Sequence, residues 1–134
     1  MRNLSFFLTT WQIRQRVKTV TRRIGPRSAA LKPGDRIQAV ERTQGMKRGE
    51  RVTPLAVLVV TEVRPEQLGL LLHAGPGVQR EELRREGLLG EPDHRGQPID
   101  TWADFITFFR QTHPSCTPDT IVTRIAFRYE DPRA

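Results

Sequence analysis

A chain of 134 residues suits a single domain and is long enough to bury a core without disulfide or metal staples. Hydrophobic residues make up 37% and charged residues 28%, a globular balance that excludes a disordered chain. Lys and Arg number 22 against 15 Asp and Glu, giving a net charge of +7, a surplus that favours encounter with polyanions. The one cysteine, Cys116, excludes an intrachain disulfide and fits a reducing, cytoplasmic setting. No apolar run approaches the ~18 residues that span a bilayer, so no membrane partner is expected.

In chain order, Leu4–Leu8 reads as a short buried strand. Thr9 then caps a helix, with Gln12 placed for the reciprocal bond of a capping box and the helix running to about Arg16. Lys18–Ile24 alternates β-branched and polar residues as a strand does, and Gly25-Pro26 breaks it. Leu31-Lys-Pro-Gly-Asp35 is a turn, since proline presets one backbone angle and glycine admits a positive one. Arg36–Glu41 is a strand with Ile37 and Ala39 on one face. Gly45–Gly49 is a basic loop, either a solvated hairpin connection or a flap that contacts phosphate through Lys47, Arg48 and Arg51.

Leu55–Val63 is the strongest strand pattern, a nearly continuous apolar run that Pro65 ends. Leu68–Leu72 and Glu81–Leu89 read as helical, and residues 89–98 as a polar loop. Thr101 and Asp104 cap a further helix whose apolar face carries Trp102, Phe105, Ile106, Phe108 and Phe109. Ile121–Tyr129 closes the chain as an alternating strand. These elements make one α+β domain over residues 1–134, built round an antiparallel sheet or barrel.

Metal chemistry finds little support. His113 and Cys116 are a lone pair, and structural zinc takes four ligands. His113 reads instead as closing a helix and Cys116 as a small apolar residue. No phosphate-cradling glycine loop is present, and no cofactor is expected.

The densest chemistry lies in Arg16-Val-Lys-Thr-Val-Thr-Arg-Arg23, with four cations, two hydroxyls and no acid in eight residues. Such a span asks for an anionic partner or for water, and in a basic chain it points to nucleic acid. Lys18, Thr19, Thr21, Arg22 and Arg23 are the candidate contacts, delivered together into one recess. Trp11, a few residues upstream, either stacks on a base or packs against the sheet. Lys18 and Thr21 form a candidate reactive pair, a depressed-pKa lysine beside a hydroxyl. Residues three apart point to opposite faces of an ideal strand, so the pair meets only if Lys18 precedes the strand.

These residues resemble the signature of the ASCH family, small domains related to the PUA fold. The family pattern is G-x-K-T-x-E-x-R, and Lys18, Thr19 and Arg23 match it. Arg16 replaces the glycine and Thr21 the glutamate. Together with Leu31-Lys-Pro-Gly-Asp35, Gly45-Met-Lys-Arg-Gly-Glu50 and Val122–Tyr129, the sequence is similar to a bacterial and phage subgroup. The resemblance implies a PUA-like small β-barrel with flanking helices and a cleft for a nucleic-acid strand, RNA rather than DNA, or a nucleoside-type small molecule. One ASCH branch hydrolyses N4-acetylcytidine with a lysine, a threonine three residues on and a glutamate from a later strand. Lys18 and Thr21 correspond to the first two. At the third, Val59 stands where the glutamate is required, and Glu62 is the nearest acid. Ribonuclease activity is a further implication of the family.

Overall fold

The computed structural model describes residues 1–43 and 45–130. Five strands, β1 (Arg2–Ser5), β2 (Val20–Arg23), β3 (Arg36–Val40), β4 (Pro54–Gln67) and β5 (Ile121–Tyr129), form one sheet in the order β1-β3-β4-β5-β2. The sheet curls into a half-barrel with helices on its flanks, so the expected barrel is partial rather than closed. It is also mixed: β1 runs parallel to β3, and the remaining pairs are antiparallel.

Four helices accompany it among the described residues: α1 (Thr10–Arg14), α2 (Pro26–Ala29), α3 (Pro76–Glu86) and α4 (Trp102–Arg110). Several stretches depart from the sequence expectation: β2 is confined to Val20–Arg23, α2 forms after Gly25, and Leu70–His73 is a 3-10 turn rather than part of an α-helix. The first strand stops at Ser5, because the chain turns at Phe6 into a 3-10 turn over Phe7–Thr9. Phe6 is buried there and Phe7 exposed. Thr9 makes no side-chain cap; the Thr10 hydroxyl donates instead to the Phe6 carbonyl at 2.9 Å, and the helix ends at Arg14.

The long strand continues through Pro65. Beyond Val59 it no longer pairs with β3, so proline's missing N–H costs no ladder bond on that open side. An extra residue, Thr61, bulges between Val60 and Glu62 and resets which side chains face the core. Helix α3 begins earlier than expected, with Pro76 in its first turn. It ends at Gly87, whose φ of +77° is left-handed, and a Cβ there would stand 2.8 Å from Gln12 Cγ.

Two apolar clusters result. One fills the curl, with Phe6, Ile13, Ile37, Leu58, Ile125 and Phe127 among its members. The other packs α3, α4 and the segment from Cys116 to Val122 against the opposite face, centred on Trp102, Phe105, Leu83 and Val122. Trp102 is fully buried and stacks on Phe105 at 4.3 Å. As the sequence suggested, Thr101 and Asp104 complete a capping box on α4. His113 follows that helix and stacks on Phe109 at 4.4 Å, and Cys116 is buried.

In urea denaturation, Thr101→Ala is expected to cost about 1 kcal/mol through the lost cap. Trp102→Ala is expected to cost about 3–5 kcal/mol through the cavity it leaves.

Candidate functional site

β2 alternates its side chains, so consecutive signature residues reach different surroundings. Arg22 lies opposite Arg124 of β5, and Arg124 lies opposite Arg64 of β4, so three arginines form one rung across the sheet. Like charges placed opposite one another repel. The rung exists because α3 and β4 deliver carboxylates to it. Arg22 donates to Glu66 at 2.6 Å, to Glu82 at 2.7 Å and to Glu86 at 2.8 Å, all buried. Arg124 donates to Glu82 at 2.6 Å and to Glu62 at 3.1 Å. Arg22 also lies 4.7 Å from the Trp102 ring centroid, which ties the charge cluster to the second apolar core.

Lys18 precedes β2, as its pairing with Thr21 would need, but it turns toward α3. Its Nζ donates to Glu86 Oε1 at 2.6 Å and to the Glu86 carbonyl at 2.9 Å. Burial pulls the ammonium below its usual pKa, and the Glu86 carboxylate opposes that shift. For Arg22, burial alone would lower the pKa, but Glu86, Glu66 and Glu82 outweigh it and raise it. Glu82 is pushed up by burial, yet Arg124 and Arg22 hold it down at about 2. Every buried polar side-chain atom among the described residues has a partner.

The signature therefore divides. Lys18 and Arg22 are consumed by the protein's own carboxylates, and no described hydrogen bond joins Lys18 to Thr21. Thr21 and Arg23 lie on the other face, where Arg23 Nε donates to Thr21 Oγ1 at 3.1 Å and the guanidinium sits 4.6 Å from the Phe6 ring centroid. Thr19 is exposed, and its backbone bonds to Arg85 of α3 and Phe127 of β5. Glu62 is bonded to Arg64 and Arg124, away from both Lys18 and Thr21. One common recess for the whole signature is not what the fold builds, because period-two alternation and the glutamates of α3 separate its members. These glutamates were visible in the sequence, but nothing in it tied Glu82 and Glu86, a helical turn apart, to residues sixty positions earlier.

The exposed chemistry lies elsewhere. A recess of about 270 Å³ is lined by Phe7, Glu41, Arg42, Met46, Glu50, Arg51 and Thr53. Phe7, in the 3-10 turn, and Trp11, in the first turn of α1, are both exposed. The exposure of Trp11 corrects the expectation that it packs against the sheet. Arg42 pairs with Glu50 at 3.3 Å, while Lys47, Arg48 and Arg51 are exposed without an ion pair among the described residues. A second groove of about 370 Å³ is lined by Arg16, Gln38 and residues 54–57. Arg16 has φ +59°, and its guanidinium lies 5.1 Å from the Tyr129 ring centroid. The Tyr129 hydroxyl donates to the Lys18 carbonyl at 2.6 Å. Among the described residues, no group of three or more His, Cys, Asp or Glu is placed to hold a metal, and no helix is long and apolar enough to cross a membrane.

Replacing Arg22 with Met leaves three buried carboxylates short of a partner and is expected to cost at least about 3–5 kcal/mol. Adding Glu86→Gln to that variant recovers part of the loss, as a double-mutant cycle in urea will read. Glu82 ionises in the fold well below the ordinary carboxylate range, so its contribution is complete above a pH of about 4.5 and declines toward 2. The urea midpoint is expected to fall through that window, and Glu82→Gln to flatten the dependence.

No family model matches the chain, and no curated protein matches it. Among solved structures it is similar to the crystal structure of protein EF3133 from Enterococcus faecalis V583, of family model DUF984. The TM-score is 0.55 at 16% sequence identity, over 92% of this chain and 71% of that one, a likeness of fold.

Proposed function

We propose that this chain is an ASCH-like, PUA-related module that binds single-stranded nucleic acid, RNA in preference to DNA. The contact surface is the basic loop 41–53 together with Phe7 and Trp11, rather than the whole Lys18–Arg23 signature. The observation that carries this reading is the recess in which exposed Phe7 meets Arg42, Met46 and Arg51. Arg42 is paired with Glu50, but Phe7 beside Arg51, with Lys47 and Arg48 exposed on the same loop, suits a strand whose bases stack and whose phosphates need neutralising. A single strand presents unstacked bases to such rings, which a duplex does not.

Arg16 adds support for the family. Its left-handed backbone is the conformation that glycine adopts without strain, and glycine is what the ASCH pattern carries at that position. Lys18 and Arg22 then act behind the surface, holding α3 and the segment leaving α1 in place. Lys47 and Arg48 contact phosphate, as does Arg51.

The test is binding of a fluorescent single-stranded oligoribonucleotide across a salt series. If the loop's three unpaired cations each neutralise one phosphate, log affinity falls with log salt at a slope of about −2. Replacing Lys47, Arg48 and Arg51 with Ala flattens that slope toward zero. Trp11→Ala is expected to weaken binding by about 1–3 kcal/mol with the melting temperature unchanged, since the ring is exposed. Salt-independent binding, or a triple variant that binds as the parent does, refutes the proposal.

A further inference from the structure

Arg23 differs from the other cations of its segment. Arg22 has three carboxylates and Lys18 has one, whereas Arg23 has no ion pair among the described residues. Its Nε is spent on Thr21 Oγ1, and its Nη atoms make no hydrogen bond to a described residue. Glu86, whose charge acts on it, already has one carboxylate oxygen on Lys18 and the other on Arg22. The Phe6 ring beneath the guanidinium fixes its plane.

Its surroundings are rich in donors. Because Thr21 Oγ1 accepts from Arg23, the threonine's own proton is left to donate, and no described residue takes it. Thr123 stands directly opposite Arg23 in the β2–β5 register, so a second hydroxyl shares that face. Arg23 is half-buried, and no buried polar side-chain atom lacks a partner, so its unbonded Nη atoms open to solvent. Burial pushes the guanidinium down to about 10, which Glu86 offsets only in part. A bound anion would relieve that cost.

We infer that Arg23 and Thr21, backed by Phe6 and flanked by Thr123, form a receptor for one oxyanion of phosphate or carboxylate type. The planar fork of a guanidinium matches two oxygens of such a group, and the Thr21 hydroxyl reaches a third or shares one. The site lies on the sheet face that carries Ile125, with Phe6 beside it, and none of its residues lines the loop recess, so its test does not depend on RNA binding there.

The experiment follows the Arg23 side-chain ¹⁵Nε–¹Hε NMR signal of the full chain, assigned by its loss in Arg23→Lys. The probes are inorganic phosphate, acetate, a nucleoside 5′-monophosphate and a short 5′-hydroxyl oligoribonucleotide, each at constant ionic strength made up with chloride. The expected result is a saturable shift with phosphate that exceeds the shift of the exposed arginines. Thr21→Val is expected to weaken it about fivefold, the worth of one hydrogen bond, while Thr21→Ser retains it, which separates anion binding from misfolding. Tighter binding of acetate assigns a carboxylate, of the monophosphate a terminal phosphate, and of the oligonucleotide a phosphodiester. A shift that fails to saturate, that chloride reproduces, or that Thr21→Val leaves unchanged overturns the inference.

Discussion

The fold depends on neutralising one rung of arginines. Arg22, Arg124 and Arg64 lie side by side across three strands, an arrangement that repels itself unless carboxylates enter from outside the rung. Glu82 and Glu86 on α3 enter from above, and Glu62 and Glu66 from the same strand as Arg64. That requirement sets where α3 sits against the sheet. It also places the charge layer on the sheet face packed by the second apolar core, with Trp102 over Arg22 and Lys18 bonded to Glu86 at the end of α3. Buried ion pairs gain little over apolar packing, but removing one member leaves the rest unpaired in a low dielectric. The cluster is better understood as specifying the docking of α3 than as a source of stability.

This use of charge changes what the basic composition means. Part of the cationic segment is an internal device, matched by acids far away in the chain, and it offers nothing to a ligand. Lys47, Arg48 and Arg51 in the loop between β3 and β4, and Arg23 on the other face of β2, are by contrast not spent on ion pairs among the described residues. A run of cations in sequence is thus not a patch in space. Strand alternation divides it, and carboxylates from another element select which half stays available.

Local signals read well where they are short-range. The Thr101–Asp104 capping box, the proline–glycine turn before β3, the alternation of β5 and the apolar face of α4 all act within a few residues, and the fold carries each of them. The misreadings arise where a distant segment intervenes. Pro65 reads as a terminator in isolation, but an unpaired strand edge tolerates it. Leu4–Leu8 has the composition of a strand, yet the chain turns at Phe6 to bury that ring against Phe127 and under Arg23. Trp11 reads from the sequence more as core than as contact, and the fold leaves it exposed.

The chain by itself determined the five strand patterns, the apolar face and capping box of α4, the turn before β3, the basic character, and the concentration of reactive groups between Arg16 and Arg23. These follow from residue type and spacing within a single turn or strand. Only the tertiary structure decided the strand order, the parallel pairing of β1, and which cations of that segment are spent on glutamates. The reason is that charge neutralisation and burial depend on separation in space, and Lys18 meets Glu86 across sixty-eight positions of chain.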